Sequence, residues 1–541
     1  MAKKRHVTNQ RQRKNRDASL SKTAATSNDE VPTSSDRLID QRGSLRDLDP
    51  LMFALASLSA ALVFVVYYPS DSVAVEKGDA LWFAVIAISV GTLAWASYFR
   101  STPRDSVPTR NSAPKTLDVA TGTHPAIERV LAWAPWALCG WIFLAAFMTC
   151  PPGNLRMATN ESWLWVSGAA IFTAARLLMR GLGGRRAMFA LMVLCAVGLS
   201  VHGLHQYFFS LPQNRLEYQQ DPDRVLALAG IDAPPGSAER MVFANRLFDG
   251  GPTATFALAN SLAAALLFGV VLAVGVLWYR WRSLSLGSRA MWFAVSISCA
   301  GCLMAARSRS ATIAMLISIA VLWLGSTRLT GLHRRKIIGS LTALLIAAIA
   351  GALFLGAFGN REWFEEAPAS LAFRFQYWRS TWQLALDHPL FGIGPGNFQS
   401  LYERYREASA TEQIAEPHNL FFETLATGGF TALILLSLLI GAGVMCHLKR
   451  SGNACLDEDA DRSLLDEEDV QQSRWVWLGA TVSLVMVWLI GFAVRFPPDI
   501  AANLFVLPIT IGVGFAIWPA AKRLGSSEID AIIAAAMLGI S

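Results

Sequence analysis

The sequence predicts an all-α polytopic membrane protein, and three observations predict it. Apolar residues make up 53% of the 541-residue chain, and they come in long blocks instead of the short periodic runs of a globular core. The blocks run about 17 to 25 residues, which is what a bilayer core of about 30 Å demands of a helix. Lys and Arg fall between the blocks in alternation, dense in one set of connections and sparse in the other. The net charge of +7 does not point to nucleic acid, because much of the excess sits in the first fifty residues.

The elements follow in order. Residues 1–50 form a basic tail with Lys3, Lys4, Arg5, Arg11, Arg13, Lys14 and Arg16 at its start, and their composition predicts a disordered cytoplasmic segment. The first apolar run lies too far along to be a cleavable signal peptide. About twelve spans are expected, starting near Leu51, Leu81, Val130, Trp163, Met188, Ala254, Ala290, Ala311, Ile337, Leu420, Val476 and Asn503. They group into N-terminal membrane helices at 51–245, a core at 246–446 with a large loop at 360–417, a linker at 447–474, and C-terminal membrane helices with a tail at 475–541. The acidic stretch from Asp457 to Asp469 in that linker reads as solvated. Cys139, Cys195, Cys299, Cys302 and Cys446 lie in apolar stretches and read as small packing residues, not as a disulfide framework or a zinc site.

Orientation follows from the basic residues of the short connections. With a cytoplasmic tail, that side holds Arg100, Arg104, Arg110 and Lys115; Arg180, Arg185 and Arg186; Arg280, Arg282 and Arg289; Arg328, Arg334, Arg335 and Lys336; Lys449 and Arg450; Lys522 and Arg523. The opposite side holds only Lys77, Arg156 and Arg495 in its short loops. Both termini are then cytoplasmic. Three segments stand out on the far side: about 210–252, the tight junction Arg307-Ser308-Arg309-Ser310, and about 360–417. Loops of this length usually carry function or are disordered. In the last of them Leu371, Phe375, Trp378, Trp382 and Ala385 share one face of an amphipathic helix, to lie on the membrane surface or against the bundle.

The chemistry concentrates there. The run from His388 through Pro389, Gly392, Gly394, Pro395 and Gly396 to Asn397 and Phe398 combines a titratable group with rigid turn residues, and Pro417-His418-Asn419 opens the next span. A histidine exchanges protons near neutral pH, which suits His418 to general-base work; alone, it is more often an interfacial histidine than a catalyst. Arg307 and Arg309 interrupt a hydrophobic hairpin and are either interface anchors or ligand groups. Arg246, Arg307, Arg309, Arg374, Arg379 and His418 all fall at one face by this topology. A diphosphate needs several guanidinium-like donors, and a lipid-linked sugar diphosphate would present its charge at that level. Asn260 reads first as a helix-packing amide. His202 and His205, three apart on a membrane helix, suggest a metal pair, but no third ligand accompanies them and packing is the better reading.

These motifs together resemble the O-antigen ligase and polymerase-like family of bacterial membrane glycosyltransferases. The family's Ser-Arg-Gly/Ser-Ala element is matched by Ser308-Arg309-Ser310-Ala311. Its Arg, Trp and glycine-rich loop are matched by Arg374, Trp378 and Pro389 to Phe398, and its His-Asn, acidic and Gly-Gly steps by His418-Asn419, Glu423 and Gly428-Gly429. An upstream Gly…Phe…Asn-x-Leu-Ala element is similar to Gly251 to Ala263. The resemblance implies a lipid-donor glycosyltransferase fold working at the periplasmic face of the bacterial inner membrane in polysaccharide or lipopolysaccharide assembly. It implies a polyprenyl-diphosphate-linked glycan as donor, a lipid, glycan or protein as acceptor, and no cofactor or metal. By the same analogy His418 activates the acceptor, Arg309, Arg246 and Arg374 bind the diphosphate, and Asn260, Ser308, Asn397 and Asn419 support them. A ligase and a polymerase extending lipid-linked repeats stay open. A small-anion transporter is the reading from another class, but its ionisable groups would sit near the midplane in two related halves, and no internal repeat is present here.

Overall fold

The computed structural model describes residues 50–67, 81–101, 125–149, 154–179, 181–228, 230–256, 258–326, 369–407, 410, 414–453, 467–493 and 500–540. Contacts divide the chain into Met1–Asp49 and Pro50–Ser541, and the second unit holds every described residue. The basic tail, the expected span at Ile337 and most of the acidic linker therefore lie outside the described residues.

The described residues are helical, with no strand among them. In chain order the helices are α1 Pro50–Tyr67, α2 Leu81–Ser101, α3 Pro125–Thr149, α4 Leu155–Leu178 and α5 Leu182–His205, followed by α6 Leu211–Gln220, α7 Pro222–Leu228 and α8 Ala238–Asp249. Then come α9 Ala259–Arg280, α10 Leu286–Ala305, α11 Arg309–Ser326, α12 Ala369–Asp387, α13 Phe398–Tyr405, α14 Leu420–Asn453, α15 Glu467–Ala493, α16 Ile500–Ala521 and α17 Ser526–Ile540. Each expected span other than the one at Ile337 coincides with a helix. Among the described residues, seven helical stretches are long and apolar enough to cross a membrane: Pro50–Tyr67, Leu81–Tyr98, Pro125–Thr149, Leu182–Gln220, Ala259–Ser283, Leu286–Ala305 and Leu420–Cys446.

Two helices start where a serine side chain satisfies a free N–H group. Ser237 Oγ accepts from Arg240 N at the head of α8, and Ser285 Oγ accepts from Ser288 N at the head of α10. Helix α5 is apolar on all sides and buried along most of its length, the pattern of a central helix. One apolar core gathers α5, α9, α10, α11, α16 and α17, with Trp292, Leu266 and Leu303 fully enclosed. A second gathers α1, α2, α4, α5 and α15 around Leu55, Ala94 and Val476. Cys195, Cys299 and Cys302 pack inside these cores as free thiols, and Cys139 is buried on α3. A smaller assembly of α3, α4, α12, α13 and α14 carries the glycine-rich loop.

Several expectations are corrected. The span expected from Ala254 begins only at Ala259, because Ala254 takes a left-handed conformation with φ 51° and ends the loop before it. Asp469 is not solvated linker: its Oδ1 accepts the Gly183 N–H at the head of α5, 2.8 Å away. Of the two placements expected for the amphipathic face of α12, the structure shows the bundle, with Phe375 and Ala385 buried and Trp378 and Trp382 packed toward Phe422, Leu425 and Phe430 of α14. The Leu371 side chain lies outside the described residues. Helix α17 was not anticipated as a separate element. Its head is tied to basic residues read from sequence only as topology signals: Arg280 pairs with Glu528 at 2.6 Å, Arg185 pairs with Asp530, and Arg186 Nε donates to Leu524 O at 2.7 Å.

Candidate functional site

The glycine-rich loop is spliced into a broken helix. Helix α14 departs from helical geometry at Gly429, with φ 69° and ψ −168°. In an unbroken helix the Phe430 N–H would bond the Ala426 carbonyl. Instead Phe430 N donates to Pro389 O at 2.8 Å, and Ala426 O accepts from Ile393 N at 2.8 Å. The loop thus supplies both partners that the break removes, as a helix interior shielded from water requires. Only glycine fits on the two sides of the splice. A Cβ on Gly429 would lie 2.5 Å from Pro389 O, and one on Gly392 (φ 63°) would overlap the Ala426 carbonyl oxygen.

Helices α3 and α4 close the loop from the other side. Trp141 donates Nε1–H to Gly428 O at 2.9 Å and stacks on Phe391 with centroids 4.8 Å apart. Asn397 is fully buried; its Nδ2 donates to Ile393 O at 3.0 Å and its Oδ1 accepts from Asn154 Nδ2 at 3.1 Å. The Glu161 carboxylate of α4 receives the Gly396 N–H. Asn397 is therefore a support of the loop and does not face a ligand. Tyr405 of α13 donates to Asp387 Oδ2 at 2.9 Å, tying α13 to the end of α12, and burial followed by this bond raises the phenol above its ordinary range.

This platform carries His418. The histidine is exposed and left-handed, with φ 51°. Asn419 caps α14, its Oδ1 accepting from Phe421 N at 3.0 Å and Phe422 N at 3.2 Å. From α12, Trp378 Nε1 donates to Pro417 O at 3.0 Å, and Tyr377 meets the imidazole edge-on at 6.0 Å. The carboxylates of Glu161, Glu416 and Glu423 lie within one another's fields around this turn, and Glu423 Oε2 is sealed from solvent without a hydrogen-bond partner.

The arginines form the second group. Arg307 occupies the α10–α11 turn with φ 56°, and Arg309 opens α11; both side chains are exposed. Ser308 between them is buried, and its carbonyl accepts from Thr312 N and Oγ1. The Gly251 stretch packs on this turn, since a Cβ there would lie 2.6 Å from Ala305 O. Arg246 is exposed in the last turn of α8, and Asn260 is exposed in the first turn of α9. Arg374 is half-buried on α12, on the histidine side, and Arg379 is engaged by Glu407 at 3.2 Å. Arg374, Asn397, His418 and Asn419 thus stand on α12–α14 and the loops between them. Ser308 and Arg309 form the α10–α11 turn, on which Gly251, between Arg246 and Asn260 in sequence, packs. The helices of both groups, α11 and α14, pack on α17.

Backbone strain picks out the same places. Among the described residues, the non-glycine positions with positive φ are Ala254, Arg307 and His418. Strain of this kind costs about 1–3 kcal/mol and persists where surrounding structure enforces it. Gln206 enforces Ala254: its Oε1 accepts from Thr253 N and Ala254 N at 3.1 and 2.7 Å, and its Nε2 donates to Ala254 O at 3.1 Å. His202 and His205, its neighbours, contact Gln206, Ser210 and Phe209. The sequence reading missed Gln206, Trp141, Asn154 and Glu161; their one signal was polar or indole groups at the ends of otherwise apolar runs.

No curated protein sequence is similar enough to match the chain. Residues 294–437 match the O-antigen ligase family, and this stretch takes in the Arg309 turn, the glycine-rich loop, His418 and the break at Gly429. With that match comes a glycosyltransferase-like role in cell-surface polysaccharide assembly and lipid-linked glycans as the general class of substrate. Residues 294–437, which hold Arg309, Arg374, Asn397 and His418, are therefore similar to an O-antigen ligase-like family.

Proposed function

We propose that the protein transfers a glycan from a polyprenyl-diphosphate carrier to an acceptor hydroxyl or amide at the periplasmic face of the bacterial inner membrane. The observation that carries this reading is the coincidence of strain and motif: Ala254 and His418 fall inside family-like sequence elements, and Arg307 directly precedes a third, Ser308 to Ala311. In the proposed step His418 takes the proton from the acceptor as its oxygen or nitrogen bonds the anomeric carbon. The bond between that carbon and the phosphate oxygen breaks, and the diphosphate leaves with the electron pair. Arg309, Arg246 and Arg374 bind the developing charge. A single displacement inverts the anomeric carbon and uses this chain's own residues throughout, without a metal. The exposure of His418, Arg246 and Arg309 supports access by large substrates.

The reading includes about twelve spans, cytoplasmic termini, and the 360–417 loop on the periplasmic side, because the basic connections alternate. Ligase and polymerase are separated by deleting the gene and sizing surface glycans. Loss of the whole polymer from its anchor marks a ligase; retention of a single repeat marks a polymerase. His418→Ala and Arg309→Ala are each expected to abolish transfer while the protein stays in the membrane. Normal transfer by both variants, or an unchanged glycan profile on deletion, refutes the proposal.

A further inference from the structure

His418 carries a conformation that its own chemistry resists. For a residue other than glycine the left-handed region costs roughly 1–2 kcal/mol, so something outside the turn has to hold it. The peptide unit between residues 417 and 418 contains both the Pro417 carbonyl and the His418 N–H. Fixing that carbonyl fixes one side of the His418 φ rotation. Trp378 Nε1 does this with a 3.0 Å bond from α12. The same indole lies nearly parallel to the Phe422 ring, with centroids 5.4 Å apart and planes 13° apart. Phe422 is buried one turn into α14, so Trp378 grips the chain on both sides of the histidine. Phe375 meets the back of the indole edge-on at 5.7 Å, which fixes the indole itself.

The arrangement repeats at Ala254, where a side chain from another element, Gln206, bonds the backbone of a left-handed residue on both of its faces. Two of the three strained positions are thus held by a dedicated side chain. The break at Gly429 explains why His418 needs its own anchor. Helix α14 is not continuous between the N-terminal stub that carries His418 and the long apolar part beyond, so the stub takes its orientation from its neighbours.

We propose that Trp378 is a positioning residue for His418, aiming the imidazole by holding the Pro417 carbonyl and the Phe422 ring together. This rests on the reading of His418 as the acceptor base. Trp378 touches no reacting atom in this scheme and acts through the histidine alone.

The test uses the full-length protein in membranes of a deletion host, with three readouts: glycan transfer from that host's lipid-linked donor, binding of undecaprenyl diphosphate to purified protein, and melting temperature. Trp378→Phe keeps an aromatic ring against Phe422 and removes the N–H donor. Losing one such bond is expected to lower transfer about tenfold, with undecaprenyl diphosphate binding unchanged and melting within a few degrees of the parent. Phe422→Leu, which removes the stack and leaves the bond, is expected to lower transfer by a smaller factor. Unimpaired transfer by Trp378→Phe, or an equal loss of undecaprenyl diphosphate binding, overturns the inference. A His418→Ala protein that transfers normally overturns the base reading and this inference with it. A dead His418→Ala beside an unimpaired Trp378→Phe overturns the positioning role alone.

Discussion

Gly392→Ala tests the splice between the glycine-rich loop and the broken helix. Gly392 has φ 63°, and an added methyl would overlap the Ala426 carbonyl oxygen, with the Gly429 nitrogen 2.8 Å away. The left-handed backbone alone costs alanine roughly 1 kcal/mol. The overlap is with backbone, which cannot swing aside as a side chain would. Relief requires the loop to move off α14, and that breaks the Ile393 N to Ala426 O and Phe430 N to Pro389 O bonds, each 2.8 Å. Two bonds at about 1 kcal/mol net add roughly 2 kcal/mol, for a total of roughly 3 kcal/mol. Gly230→Ala supplies the control. Its φ is 72°, close to that of Gly392, but nothing lies within 4 Å of an added Cβ, so only the backbone term of roughly 1 kcal/mol applies. The assay is unfolding of the detergent-purified full-length protein, together with hydrogen exchange at the Ile393 and Phe430 amides. Gly392→Ala should unfold well before Gly230→Ala, and both amides should exchange faster in it alone. Equal destabilisation by the two variants, or unchanged protection at Phe430, would refute the splice.

Two further outcomes follow from the same geometry. Gln206→Ala removes three bonds to the Thr253–Ala254 backbone and should cost roughly 2–3 kcal/mol; adding Ala254→Gly should recover about 1 kcal/mol, because glycine accepts the positive φ without a clamp. No recovery in an unfolding titration would show that Gln206 does not act through Ala254. Arg280 bonds Glu528 through Nε at 2.9 Å and Nη2 at 2.6 Å, with both side chains mostly shielded, so a double-mutant cycle with Arg280→Ala and Glu528→Ala should give a coupling of roughly 1–2 kcal/mol. Additive losses would mean that the pair contributes nothing to holding α17.

The helices were legible because hydrophobic length is a local property: the apolar runs around Leu81, Leu182 and Leu286 name their helices without reference to any neighbour. The candidate residues were legible as types, an arginine interrupting a hairpin and a histidine opening a span, and their resemblance to a family supplied the order. What the sequence could not reveal are relationships across hundreds of residues. The glycines of the loop read as turn residues, yet one of them, Gly392, is required by close approach to a helix that begins at Leu420. Nothing local marks Trp141 as the donor to Gly428 O, 287 residues away. Arg280 read as an orientation signal because charge counting is blind to its partner, Glu528, on a helix the apolar pattern did not separate from the terminal span. Asp469 read as solvated because its acceptor role depends on the head of α5 reaching it.

The candidate residues stand on two separate supports. At the turn that carries His418, the carboxyl groups of Glu161, Glu416 and Glu423 lie within one another's fields. On α12, Arg379 is engaged by Glu407, whereas Arg309 and Arg246 stand exposed on other elements, α11 and α8. Such a separation works only if the two supports keep a fixed relation. Helix α17 packs on both α11 and α14, and Ile532 comes so close to α9 that a Cβ at Gly275 would lie 2.6 Å from it. Its head is fixed by the Arg280 and Arg185 pairs. The shared wall between the proposed base and the proposed clamp is thus α17, far in sequence from either.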